Sequence, residues 1–238
     1  MYGDLRLTKV DKDYPDNKLT GAEFEVYRDT NGNKELDEGD ELLGKLEETS
    51  TGIYEMSHIL YGGVFVKETK APEGFVLDTG VYEVMIDTDG KTCEVENKAG
   101  VGFINEAMRG NLKIVKTSSD GKIKGFAFRI TGANGYDIIL ETNDKGEIVI
   151  EGIRIGDYTV SEVSNSASAM YVLPADKKAT VKTGSTTIVE MHNVLRDTPK
   201  TGDATNLPLL YALAGLSAVG IAVTAFVGFK KKKKEGND

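Results

Sequence analysis

Leu19-Thr20-Gly21-Ala22-Glu23-Phe24-Glu25-Val26-Tyr27 and, in the second half of the chain, Ile123-Lys124-Gly125-Phe126-Ala127-Phe128-Arg129-Ile130-Thr131 carry one pattern. Each is a glycine followed by apolar residues at every second position. A period of two describes a strand with one buried face, and a glycine at its entrance supplies a tight turn. Short runs of the same kind fill residues 4 to about 195, among them Leu5-Arg6-Leu7-Thr8-Lys9-Val10 and Val64-Phe65-Val66-Lys67. Gly, Asn and Asp punctuate them. The pattern predicts an all-β fold.

Reading outward, the two stretches have the same neighbours in the same order. Before each comes a strand with an inward lysine, Lys9 and Lys116. After each comes a strand ending in glutamate, Glu68 and Glu162, and each half closes on a strand with an asparagine, Asn105 and Asn193. The chain therefore divides into residues 1–108 and 109–196, each the size of a small Ig-like β-sandwich. The joint, Ala107-Met108-Arg109-Gly110, is short enough to predict a stiff rod. The Lys-to-Glu gap is longer in the first half by the length of an acidic insertion at residues 29–41.

The 238 residues carry a net charge of −9. That balance repels nucleic acid, and no basic patch interleaved with aromatics opposes it. A single cysteine, Cys93, excludes an intrachain disulfide. Two histidines, His58 and His192, leave little for acid–base catalysis, and no Ser/His/Asp set, metal cluster or phosphate loop is apparent. The start, Met1-Tyr2-Gly3-Asp4, has no basic or apolar leader, so the chain reads as the C-terminal part of a longer exported protein.

Residues 197–238 have a different character. Thr198-Pro199-Lys200-Thr201-Gly202 leads through a polar spacer to an uncharged apolar run, Leu207 to Phe229, and then to five lysines, Lys230 to Lys234. As a helix the run would reach about 34 Å, enough to cross a bilayer core. The lysines predict a cytoplasmic C-terminus, with everything before Thr198 outside the cell. A plain membrane anchor is the competing reading.

This ending resembles the cell-wall sorting signal of Gram-positive surface proteins, with Thr198 where that family usually has Leu. The resemblance implies that a sortase cuts between Thr201 and Gly202 and joins Thr201 to peptidoglycan, so the membrane is a partner only before sorting. The halves resemble the B-type, prealbumin-like domains of collagen adhesin and of pilins, through Lys9-Val10-Asp11, Gly21–Tyr27 and Glu68-Thr69-Lys70-Ala71-Pro72-Glu73-Gly74-Phe75. The second half matches more loosely, with Ser118 in place of the Asp and no such run after Glu162.

The family forms self-catalysed isopeptide bonds, which here implies Lys9 bonded to Asn105 with Glu68 as acid/base, and Lys116 to Asn193 with Glu162. Burial would favour the neutral amine that attacks, and a carboxyl would shuttle the proton. Snorkelling lysines, solvent-facing glutamates and turn asparagines are the alternative, and Asn97 is a rival electrophile. No cofactor is required. The insertion places oxygen donors at calcium-loop spacing, Asp29, Asn31, Asn33, the Glu35 carbonyl, Asp37 and Asp40, although Lys34 stands where such loops have Gly. The resemblance implies a wall-anchored adhesin stalk at the cell surface, with an extracellular-matrix or host-cell ligand. The alternatives are a sortase-assembled pilin and the stalk of a surface enzyme whose head precedes residue 1.

Overall fold

A computed structural model describes residues 1–197. The sorting motif 198–202, the apolar run 207–229 and the lysine tail lie outside the described residues. Among the described residues no helix is long and apolar enough to cross a membrane.

The first half contains β1 (Tyr2–Asp11), β2 (Glu23–Arg28), β3 (Glu41–Lys45), β4 (Glu47–Ser50), β5 (Ile53–Leu60), β6 (Gly62–Lys70), β7 (Val81–Ile86), β8 (Thr92–Glu94) and β9 (Phe103–Asn105). The second contains β10 (Arg109–Ser118), β11 (Ala127–Gly132), β12 (Asp137–Glu141), β13 (Glu147–Arg154), β14 (Gly156–Val163), β15 (Tyr171–Val172), β16 (Lys177–Val181) and β17 (Thr186–Leu195). Each half has two sheets. β4-β5-β1-β8, with β9 also on β1, belongs with β3-β2-β6-β7; β13-β10-β17-β15 belongs with β12-β11-β14-β16. The all-β expectation and the repeat are both met.

Alternation explains the cores. Leu5 and Leu7 of β1, Phe24 and Val26 of β2, Val64 and Val66 of β6, and Phe103 of β9 fill the first. Leu112 and Ile114, Phe128 and Ile130, Tyr158 and Val160, and Val189 and Met191 fill the second. Gly21 and Gly125 sit at φ +77° and +80°, conformations that residues with a Cβ rarely adopt, so both motif glycines make the same turn into their strands.

The first strand of each half lies parallel to the last. β1 pairs with β9 through Lys9↔Phe103 and Asp11↔Asn105, and β10 pairs with β17 through Lys116↔Met191 and Ser118↔Asn193. Each asparagine thus falls two residues beyond the partner of the lysine. In the other sheet Glu68 pairs with Phe24 and Glu162 with Phe128. One register has been built twice.

Residues 1–196 form one compact unit. The joint is tightly bonded: Met108 N–H donates to Gly74 C=O at 2.8 Å and Ile155 N–H to Met108 C=O at 3.0 Å. Arg154 reaches across from the second sandwich and donates to both oxygens of Asp11 (2.6 and 2.7 Å) and to Asp13 (2.6 Å). Its guanidinium lies 4.8 Å from the Tyr14 ring centre.

Candidate functional site: two buried lysine–glutamate–asparagine clusters

Each polar residue of the clusters continues an inward apolar series by one step. Lys9 follows Leu5 and Leu7, Glu68 follows Val64 and Val66, and Asn105 follows Phe103. Lys116, Glu162 and Asn193 extend their strands in the same way. Strand phase therefore carries all six into the cores, and none is more than 8% exposed. Snorkelling and solvent-facing placements are therefore not what the chain adopts, and because burying a charge costs several kcal/mol unless a partner offsets it, the partners of these groups decide their state.

The first cluster is assembled. Lys9 Nζ donates to Asn105 Oδ1 and, at 3.2 Å, to Phe103 C=O. It lies 3.4 Å from Glu68 Oε1. Asn105 Nδ2 donates to both Glu68 oxygens (3.1 and 2.9 Å) and to Val76 C=O (2.9 Å). Amine and carboxyl thus address opposite ends of one amide. Burial pulls the Lys9 amine down to about 8, against the upward pull of Glu68. The amine also rests 4.7 Å from the Phe103 ring centre.

The second cluster is brought together less completely. Asn193 Nδ2 donates to Glu162 Oε1 at 2.7 Å, but Lys116 Nζ turns to the carbonyl of Thr117 and sits 4.2 Å from the Phe126 ring centre. Asn193 Oδ1 and Glu162 Oε2 are left as the buried side-chain atoms without a partner among the described residues. Such an atom costs about 1–3 kcal/mol. Burial lowers the Lys116 pKa and raises that of Glu162.

Asn97 lies beside the first cluster, but its amide is bonded to the backbone of Ile104 and to Asp78. No lysine amine of the described residues is among its partners. Asp78 is a member of this cluster that sequence reasoning did not single out: its N–H donates to Glu68 Oε2 at 2.7 Å. Burial alone would raise its pKa, yet the Gly80 N–H, Asn97 and Tyr82 hold it below the usual range.

The acidic insertion is bonded internally. Asn31 and Asn33 donate to Asp37 Oδ2 (2.9 and 2.8 Å), Gly32 N–H to Asp29 (2.7 Å), and Asp37 N–H to Asp40 (3.0 Å). The Asn33 oxygen accepts the Glu35 N–H at 2.8 Å. The donors that satisfy Asp37 are amide N–H groups, which a cation would have to replace. Among the described residues no three His, Cys, Asp or Glu side chains gather as a metal set.

The family model of the SpaA prealbumin-like fold domain matches residues 3–99 and again 110–195. No curated protein matches the chain. Among solved structures, the Bacillus anthracis TIE protein is 23% identical at a TM-score of 0.59, over 82% of this chain and 34% of that one. A streptococcal ancillary pilin is 19% identical at 0.35, over 83% and 63%. The C-terminal fragment of a Lactobacillus rhamnosus pilus adhesin is 13% identical at 0.49, over 84% and 100%. The chain spans about a third of the TIE protein and under two thirds of the ancillary pilin. At these identities the likeness to the TIE protein bears on fold alone.

Proposed function

The chain belongs to the SpaA family of prealbumin-like domains, present here twice, and from that premise we propose that it is a non-enzymatic stalk of a Gram-positive cell-surface protein. In this reading each sandwich is closed by an isopeptide bond that it makes itself. The observation that carries the proposal is the first cluster, where a buried amine, carboxyl and carboxamide meet inside an apolar core.

The chemistry follows from the placement. Lys9 Nζ, as free amine, attacks Cγ of Asn105. The Nζ–Cγ bond forms, the Cγ–Nδ2 bond breaks, and the nitrogen departs as ammonia. Glu68, hydrogen-bonded to Nδ2, takes the proton from the amine and returns it to the leaving group. Fixed proximity stands in for an external catalyst. Lys116, Glu162 and Asn193 take the same roles once the Lys116 amine swings from Thr117 toward Asn193 Oδ1.

Such a bond ties the first strand of a sandwich to its last. Closing a loop of about a hundred residues removes roughly 4–5 kcal/mol of unfolded-state entropy on the chain-entropy model. A pull along the chain would then bypass the sheets. The sorting motif, apolar run and lysine tail support attachment through Thr201 to peptidoglycan by a sortase.

Intact mass of residues 1–201, beside Lys9→Ala and Lys116→Ala, tests the reading. Loss of two ammonias in the parent and one fewer in each variant is expected. A folded parent of unmodified mass overturns it. The calcium reading of residues 29–41 rests on their oxygen spacing; calorimetry at millimolar calcium, with no heat and no shift in melting, would dispose of it.

A further inference from the structure

The two sandwiches differ at the strand that carries the asparagine. In the second, β17 runs unbroken along β10 and is flanked on its other side by β15. In the first, the corresponding strand is interrupted: β8 and β9 both pair with β1, and residues 95–102 separate them. β9 is left three residues long, with β1 as its only strand neighbour among the described residues. A strand so short, held on one side, is poorly fixed by its own ladder, yet it bears Asn105.

Asn97, inside the interruption, occupies the open side. Its Oδ1 accepts the N–H of Ile104 at 2.6 Å, and its Nδ2 donates to the C=O of Ile104 at 2.8 Å. One side-chain amide thus satisfies both backbone groups of the residue next to Asn105, as a neighbouring strand would. The same Nδ2 donates to Asp78 Oδ2 at 2.6 Å, and Tyr82 OH donates to that oxygen at 2.8 Å. Asp78 N–H in turn donates to Glu68 Oε2 at 2.7 Å. A continuous run of hydrogen bonds therefore links the backbone beside Asn105, through Asn97 and Asp78, to the carboxylate that faces the Asn105 amide.

We propose that Asn97 is a positioning residue for the first crosslink, holding Asn105 and, through Asp78, Glu68 in register with Lys9, and that it does not itself react. This rests on the isopeptide reading above. A misplacement of about 1 Å at a reacting centre can cost a hundredfold in rate, so the loss of both Ile104 bonds should be felt in the chemistry before it is felt in the fold. The second sandwich, with β15 beside β17, needs no such residue and serves as a control within the same molecule.

The experiment is a timed quench of freshly synthesised full-length chain, with the Lys9–Asn105 and Lys116–Asn193 linked peptides counted by mass. Asn97→Ala should slow the first link roughly tenfold or more and leave the second unchanged. Asn97→Asp keeps the acceptor for the Ile104 N–H but loses the donor to the Ile104 carbonyl and to Asp78, and should slow the first link as Asn97→Ala does. Melting of Asn97→Ala in a Lys9→Ala background, where no first link can form, isolates any purely structural role. Both links absent from the parent chain would overturn the isopeptide reading itself. A parent that links, with Asn97→Ala linking at the same rate, overturns the positioning role alone. So does a Lys9→Ala/Asn97→Ala chain that fails to fold, which would make Asn97 a structural residue.

Discussion

At Lys9 the surroundings and the proposed chemistry call for the same species. Burial favours the neutral amine, and a neutral amine is what can attack a carboxamide. With the Lys9 value near 8, each pH unit below it removes about nine tenths of the reactive form. The rate of the first link is therefore expected to climb from about pH 6 to about pH 8 and to flatten above; a profile flat over that range would argue against Lys9 as the nucleophile. The stability of the unlinked precursor follows the same group. The folded value lies below the unfolded one, so the unfolded chain holds more protons between about 8 and 10.5. Lys9→Ala removes this term but also the link. Glu68→Ala in a Lys116→Ala background leaves a chain with neither link; without the upward pull of Glu68 its Lys9 amine lies lower still, so its thermal melting should rise with pH up to about 10.5, from a lower edge below that of the parent.

At the scale of elements, the parallel pairing of first and last strand decides what can meet. In β1 against β9 and in β10 against β17 the lysine and asparagine face the same core, offset by two residues. Gly102 lets β9 begin where it does. Its φ of +120° is closed to other residues in practice, and a Cβ there would stand 2.7 Å from the Thr8 carbonyl oxygen. Gly102→Ala should push β9 off β1, cost about 1–3 kcal/mol, and suppress the first link while the second forms normally. Melting and peptide mass mapping read the two effects separately. An alanine variant that links and melts like the parent would show that β9 is held independently of this close approach.

For the molecule as a whole, the joint matters as much as the sandwiches. Arg154 sits with its side chain 17% exposed against an Asp11 side chain at 3%, and Asp11 is two residues from Lys9. Burial alone would raise the Asp11 pKa, but Arg154 and the N–H groups of Asp13 and Tyr14 bring it below the usual value. A depressed carboxyl contributes stability above its unfolded value, lost as pH falls through the folded one; acid below about pH 4 should loosen this joint first. Arg154→Ala leaves Asp11 buried without its main partner and is expected to cost about 3 kcal/mol. Calorimetry should then resolve two unfolding transitions where one is expected for the parent. A single unshifted transition in the variant would mean that the coupling of the sandwiches does not depend on Arg154.

Much of this was legible in the residues taken in order. Alternation determined the strands, the repeat determined two sandwiches, and the inward phase after Leu5 and Leu7, or after Leu112 and Ile114, determined that Lys9 and Lys116 enter the cores. These are local properties, set by a period of two along a single strand. What tertiary structure alone decided is non-local. Asn97, which reads as a turn residue beside Lys98, sends its amide back to Ile104 and Asp78. The Lys116 amine rests on Thr117 instead of Asn193. Arg154 finds Asp11 across the joint. Strand phase says which face a side chain occupies; which partner it meets there depends on how separate strands are brought together and on the rotamer that packing permits.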